Sequence, residues 1–288
     1  MRRIARVMVV MVSVLALALP AMAAEPTGTL KRIKDRKTIV LGHRESSPPF
    51  SFVNDEGKPA GYSVDLCVRI AEAVQKDLAL PNLAVKWVKL TPENRLKAVA
   101  DGAVDLECGS TTATLSRQQQ VDFTITTFLD GGSLLAMGAS GIESVKDLAG
   151  KRVGIVAGTT TESALAAALR QYVISPQMVV VKDHAEGLAA LENGTVDAYA
   201  SDRVILIGLG RRSKDVSKLA LSTQLFSYEP YGLALRRGDA DFRLAANRAL
   251  SRLFRSEDIA RIYDKWFGDM GKPSLALMLM YGMTAIPE

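Results

Sequence analysis

The sequence predicts an α/β chain of two similarly built lobes, each a β-sheet flanked by helices. Three observations carry this. Short apolar runs alternate with stretches of helical periodicity, the order of a parallel sheet with helices on its faces. That order occurs twice along the chain. One segment also recurs in letters: residues 96–105 read LKAVADGAVD and residues 188–197 read LAALENGTVD. Half of those positions are identical at an offset of 92 residues, the mark of an internal repeat.

The elements follow in order. Residues 1–23 read as a secretory signal: Arg2, Arg3 and Arg6 precede an apolar run from Val7 to Pro20, and Ala21-Met22-Ala23 supplies the small-x-small cleavage pattern. The run is shorter than the roughly 20 residues a membrane span needs. In the first lobe, strands are expected over 38–41, 83–90 and 104–108. A helix is expected from about Ser63, with Leu66, Cys67, Ile70, Ala71 and Val74 on one face. Thr91-Pro92-Glu93 predicts a second helix start, with Thr as N-cap and Pro at the first helical position. In the second lobe, strands are expected over 152–156, 178–181 and 196–200, with helices from near Thr160 and after Asp183. Residues 231–235 read as a return strand. Two helices follow, near 239–255 and 257–267, and the apolar tail 274–286 is expected to dock on a lobe. Arg243, Arg248, Arg252 and Arg255 interleave with Phe242, Ala246, Leu250 and Phe254, the pattern of an amphipathic helix with a solvated face.

Composition removes several functions. Of the 288 residues, 48% are hydrophobic, which excludes a disordered chain. Two cysteines exclude a disulfide-built scaffold and a four-cysteine zinc cluster. Cys67 and Cys108 are either buried thiols or, in an oxidising compartment, one disulfide. The formal charge of +5 falls to +2 once the three signal arginines are removed, so nothing points to nucleic acid or anionic lipid. No metalloprotease, nucleophile-elbow or P-loop motif occurs, and no catalytic, metal or cofactor set assembles.

What stands out is charge at predicted strand ends, where ligands gather in open α/β sheets. Arg44 follows the first strand, Arg95 opens the helix after the second, and Arg117 follows the polar run 110–116. Guanidinium forks match carboxylates through paired hydrogen bonds, so three around one cleft suit a ligand with more than one carboxylate. The repeat offset maps Ser110 onto Asp202, each just past an equivalent strand. Asp202 could pair with a ligand ammonium or cap the following helix. Gly158-Thr159-Thr160-Thr161-Glu162 offers an anion-binding helix start with capping-box spacing between Thr159 and Glu162.

These residues resemble the family 3 periplasmic solute-binding proteins of ABC importers, most closely the glutamate/aspartate-binding branch. The matching strings are Gly42-His43-Arg44-Glu45-Ser46-Ser47 with Pro49-Phe50-Ser51, Gly61-Tyr62-Ser63 with Asp65, Asn94-Arg95, and Glu107-Cys108-Gly109-Ser110-Thr111-Thr112 with Arg117. Gly158-Thr159-Thr160, Lys182-Asp183-His184 and Tyr263-x-Lys265-Trp266-Phe267 extend the likeness, which runs from about Leu30 to Phe267. The resemblance implies a type II periplasmic-binding-protein fold, two lobes joined by a two-strand hinge, with 24–131 and 232–288 as lobe 1 and 132–231 as lobe 2. It implies that Ser110, Thr112 and Arg117 hold an α-carboxylate with Thr160, that Asp202 pairs with the α-ammonium, and that Arg44, Arg95 and His184 hold the side-chain carboxylate. The branch carries a serine where this chain has Pro92, so that hydroxyl contact is absent here. The implied function is periplasmic capture of L-glutamate or L-aspartate by a monomer and delivery to a membrane permease, after cleavage near Ala23/Ala24. The fold also serves periplasmic enzymes of the cyclohexadienyl dehydratase kind and ligand-presenting sensory proteins, the two alternatives.

Overall fold

The structure is a computed structural model that describes residues 25–287. The expected signal segment lies outside the described residues. Among these, no helix is long and apolar enough to cross a membrane.

The chain opens with α1 (Gly28–Arg36) and β1 (Thr38–His43), then a small antiparallel sheet of β2 (Ser46–Ser47), β3 (Ser51–Val53) and β4 (Pro59–Ala60). There follow α2 (Tyr62–Asp77), β5 (Ala84–Lys89), α3 (Arg95–Ala100), β6 (Leu106–Glu107), β7 (Val121–Phe123) and β8 (Phe128–Asp130). The second lobe holds β9 (Gly132–Met137), β10 (Arg152–Val156), α4 (Thr160–Tyr172), β11 (Gln177–Val181), α5 (His184–Glu192), β12 (Ala198–Asp202), α6 (Arg203–Gly210) and β13 (Leu219–Leu221). The return runs through β14 (Glu229–Tyr231) and β15 (Ala234–Arg236) to α7 (Ala240–Phe254), α8 (Asp258–Phe267) and α9 (Leu275–Thr284).

Each lobe has a five-stranded sheet, in the orders β5-β1-β6-β15-β7 and β11-β10-β12-β9-β13. The central strands β1 and β10 pair in parallel on both sides, as the alternating sequence implies. The other two pairings of each sheet are antiparallel, because β15 and β9 enter directly from the strands that cross between the lobes and run against the rest. The repeat is structural as well as literal. After α3 and α5, Gly102 and Gly194 take φ of +74° and +75°, a left-handed turn that glycine adopts without a Cβ penalty. Val104 then donates to the Ala98 carbonyl, and Val196 to that of Ala190. Asp105 and Asp197 each accept from a backbone N–H of the neighbouring parallel strand, Val40 at 2.8 Å and Arg152 at 2.7 Å.

Two sequence expectations move. The helix expected at 91–93 starts at Arg95, because Thr91 and Asn94 close a turn on each other: the Thr91 N–H donates to Asn94 Oδ1 and the Asn94 N–H to Thr91 Oγ1. The return strand divides into β14, paired with β8, and β15, which joins the lobe 1 sheet. α7 carries its four arginines outward over buried Phe242, Ala246, Leu250 and Phe254. The tail forms α9, which docks through Leu277, Met280 and Tyr281.

β8 and β14 form the antiparallel pair between the lobes, with Glu229 opposite Asp130 and Tyr231 opposite Phe128. An aromatic cluster fixes this pair to lobe 1. The fully buried Phe50 ring meets Phe128 at 4.9 Å, Tyr231 at 5.1 Å and Phe267 at 5.5 Å. Such pairs each add about 0.5–1.5 kcal/mol beyond the area they bury. The crossing is therefore seated on the lobe 1 aromatic cluster.

Candidate functional site

The C-terminal ends of the parallel strands in the two sheets face each other. Arg44 follows β1, Ser110 follows β6, Thr160 opens α4 after β10, His184 opens α5 after β11, and Asp202 ends β12. These residues, with Arg95 at the head of α3, line one enclosed pocket of about 20 Å³. That is room for little more than a water molecule. Thr112 and Arg117 do not line it; they lie beside it at the lobe junction. Thr112 Oγ1 is 3.2 Å from Thr160 Oγ1 of the opposite lobe, and Arg117 donates to the Thr112 carbonyl at 2.9 Å and the Gly158 carbonyl at 3.5 Å. The eight sequence-predicted residues thus converge on one junction.

Local chemistry sets each side chain. Ser51 Oγ accepts from the Arg44 N–H at 2.9 Å and fixes the turn that aims this arginine inward. Cys67 on α2 and Cys108 beyond β6 form a disulfide, which ties the Gly109-Ser110 segment to the lobe 1 core. Thr159 caps α4 by accepting from the Glu162 N–H, leaving the first N–H groups of the helix toward the pocket. Asp202 stands at the N-cap of α6 yet makes no cap hydrogen bond. Its carboxylate instead accepts from Thr161 Oγ1 at 2.6 Å and from the Tyr231 hydroxyl.

One end of the pocket is cationic. Arg44 and Arg95 are 3% and 4% exposed, and among the described residues neither forms an ion pair. Burial pushes Arg44 down to about 10, and the Arg95 charge beside it adds to the effect. Arg117 is likewise lowered to about 10 by burial and then by Arg95. Burial, then Arg44 and Arg95, push His184 down to about 3, so its ring is neutral at physiological pH. Burial holds the Tyr199 phenol protonated, and its hydroxyl lies 2.7 Å from His184 Nδ1. A donating Tyr199 places the ring proton on Nε2, which makes His184 a neutral donor.

The other end is acidic. Burial and then Glu229 raise Asp202 to about 6. Burial and then Asp202 hold the Asp130 carboxyl well above its usual range. Buried arginines and acids around one pocket make a site complementary to a molecule that carries both carboxylate and ammonium groups.

Residues 39–269 match the bacterial extracellular solute-binding proteins, family 3. The chain belongs to that family. It is 41% identical over 252 residues to an L-glutamate/L-aspartate-binding protein of Pseudomonas aeruginosa, covering 87% of this chain and 83% of that one. It is 36% identical to a glutamate/aspartate import solute-binding protein of Salmonella typhimurium, covering 83% and 79%. Among solved structures it is similar to an ABC transporter periplasmic binding protein from Brucella ovis with glutathione bound, with a TM-score of 0.74 at 28% identity over 87% and 78% of the chains. The match extends over both lobes and the crossing of this solute-binding protein.

Sequence reading missed several members of the site. Glu229 and Tyr231 reach it from β14, Ser201 lines it, and Asp130 faces it from β8. Glu107 lies fully buried on β6 with both carboxylate oxygens without a hydrogen-bond partner, and its charge acts on Arg44 and Arg117. A signal existed for Glu229 and Tyr231, since Glu-Pro-Tyr-Gly places an acid and a phenol at the point where the chain recrosses.

Proposed function

We propose that this solute-binding protein captures L-glutamate and L-aspartate between its lobes and delivers them to an ABC permease. The observation that supports this reading most is the buried pair Arg44 and Arg95, two guanidiniums without an ion pair among the described residues. A second carboxylate on the ligand supplies the missing anion, with His184 donating beside it. At the other end lie Ser110, Thr112, Arg117, Thr160 and Asp202, set around the α-carboxylate and α-ammonium.

Capture proceeds by hinge closure. In the open form the ligand meets one lobe. As lobe 2 swings on β8 and β14, water leaves and each charge contact strengthens in the lower dielectric. The moving units divide at 131/132 and 231/232, giving lobe 1 as 24–131 with 232–288 and lobe 2 as 132–231. The protein works in the periplasm as a monomer after cleavage near Ala23/Ala24, and it binds its ligand without turnover. Pro92 brings no hydroxyl to the site, so the arginines carry the side-chain end alone with His184.

The specificity follows from desolvation. Glutamine would leave buried guanidinium charge uncompensated, at a cost of about 3–5 kcal/mol. That is roughly a hundredfold or more in affinity. Glutamate and aspartate differ by one methylene, worth about 1–3 kcal/mol. Calorimetric titration of ligand-stripped mature protein with glutamate, aspartate, glutamine and arginine tests this. One-to-one binding of both acids with the amide about a hundredfold weaker is expected. Preference for glutamine or arginine would overturn the roles of Arg44 and Arg95, and consumption of a bound acid would identify an enzyme.

A further inference from the structure

The lobes meet around a side chain that belongs to neither half of the pocket. Glu229 lies on β14, in the crossing itself, and is 1% exposed. Its Oε2 accepts from Thr112 Oγ1 of lobe 1 at 2.6 Å and from Thr160 Oγ1 of lobe 2 at 2.7 Å. Its Oε1 accepts from Ser227 Oγ at 2.6 Å. The Ser227 oxygen in turn accepts from the Gly132 N–H at 2.8 Å, so its proton is directed to Glu229. Backbone pairing holds this set in place: Thr112 bridges Tyr231, and the Ala113 N–H donates to the Pro230 carbonyl at 2.8 Å.

A hydroxyl has one proton and two lone pairs. A carboxylate only accepts, and distances of 2.6 and 2.7 Å are those of hydroxyls donating to it. Once Thr112 and Thr160 have both given their protons to Glu229, the 3.2 Å contact between their oxygens carries none. What the two oxygens offer in other directions is lone pairs. An ammonium, with three donors, can be shared by such a pair; a carboxylate oxygen placed there meets lone pairs alone.

We infer that Glu229 is a positioning residue that turns the Thr112 and Thr160 hydroxyls into a paired acceptor for the ligand ammonium, and so confines the site to α-amino acids against dicarboxylates that lack the amine. This rests on the proposed function and refines it. The α-carboxylate is left to Arg117, Ser110 and the first N–H groups of α4, while the two hydroxyls join Asp202 at the ammonium. The selection comes from the direction of two protons, set by a carboxylate that itself never touches the ligand.

Calorimetric titration with L-glutamate and with glutarate, the same carbon chain without the amine, tests it. In the native protein glutarate binds about a hundredfold more weakly. Both threonines donate to one oxygen, Oε2, so Glu229→Met, which keeps the length but removes that acceptor, releases both protons from their fixed direction. Glutamate affinity is expected to fall about tenfold or more while that of glutarate changes by less than about threefold. Thr112→Val removes an oriented hydroxyl and gives the same selective loss, whatever the folding of Glu229→Met. In the double variant the two losses do not add, as for residues acting through one contact. Equal weakening of both ligands, or additive losses, would mark Glu229 as a packing residue and overturn the inference alone. Failure of the native protein to bind any amino acid overturns it together with the proposed function.

Discussion

Removing Arg95 separates the two jobs a buried charge can have. With the lobes closed Arg95 is 4% exposed, forms no ion pair among the described residues, and its charge depresses both Arg44 and Arg117. Arg95→Ala should therefore leave the ligand-free protein no less stable, and its melting temperature equal or raised. Binding moves the other way. A ligand carboxylate held by Arg44 and Arg95 loses one buried partner, a cost of about 3–5 kcal/mol, or roughly 150-fold and more in affinity. At a ligand concentration about 1,000 times the native Kd, glutamate stabilises the native protein by about 4 kcal/mol. For a chain of this size that is a rise of roughly 8–16 °C. After a 150-fold loss, roughly, the same concentration gives about 1 kcal/mol and a rise of a few degrees. Thermal melts with and without glutamate, and titrations with glutamate and glutamine, read all three quantities. Glutamine affinity should change far less, so the ratio of acid to amide collapses. Near-native glutamate affinity in Arg95→Ala, or an equal loss for both ligands, would refute the placement of the side-chain carboxylate at this arginine.

Four further outcomes follow from the same geometry. With Asp202 raised to about 6, acidification protonates the partner of the ligand ammonium, so glutamate affinity should fall about tenfold between pH 7 and pH 5, with proton release on binding below pH 6, roughly. Affinity that stays flat over that range would remove Asp202 from the ammonium site. In folding stability the two pocket groups oppose each other. His184, lowered to about 3 from 6.5, contributes stability that is present above pH 6.5 and lost as pH falls toward 3, whereas Asp202, raised from 3.8 to about 6, contributes stability that is lost as pH rises through 6. His184→Asn should thus remove the part of the loss of unfolding stability, as pH falls from about 6 toward 4, that His184 contributes. Replacing Cys67 and Cys108 by serine opens a loop spanning 41 residues and should cost about 4 kcal/mol in thermal or urea unfolding. Phe50→Ala, which removes the ring that Phe128, Tyr231 and Phe267 pack on, should cost about 3–5 kcal/mol in the same measurement.

The lobes were legible in the sequence because their elements are set by local pattern. Alternation of apolar runs and helical faces located α2, β10, α4, β11 and α5, and the repeat placed Gly102 with Gly194 and Asp105 with Asp197 in matching roles. Arg44, Arg95 and Asp202 were legible as charges near the ends of predicted strands, and the structure brings all three to one pocket. Glu229, Asp130 and Tyr231 were hidden because nothing local marks a crossing. Residues 229–235 form one apolar-flanked run, and only the partners β8 and β6 decide that it divides in two. The helix start at Arg95 was misplaced for a similar reason. Thr91 and Asn94 satisfy each other as a closed turn, which a cap pattern read from Thr91-Pro92 does not distinguish from a first helical turn.

Contacts away from the pocket bear on how strongly closure depends on the ligand. Outside the pocket the lobes touch through Arg211 and Asp269 at 3.0 Å, through the Arg212 guanidinium over the Phe52 ring at 5.3 Å, and through α6 against Pro48. A Cβ at Gly208 would lie 2.6 Å from the Pro48 carbonyl oxygen, so this approach needs glycine. Yet the ion pair is solvated, 42% and 83% exposed, and such pairs give about 0–1 kcal/mol. An exposed cation–π contact gives about 0.5–1 kcal/mol. Moving an equilibrium from mostly open to mostly closed takes about 5.5 kcal/mol. These outer contacts fall short of that, and the uncompensated Arg44 and Arg95 oppose closure by losing water as the pocket shuts. The remainder must come from charges that only a ligand completes. On the proposed function, a molecule that fills the cationic end and the acidic end together is expected to close the lobes. One that fills a single end, such as an amine-less acid or a basic amino acid, leaves the other uncompensated and the protein open. Small-angle scattering of the native protein with glutamate, glutarate and arginine reads this directly: contraction with glutamate alone is expected, and equal contraction with all three would show that the outer contacts suffice.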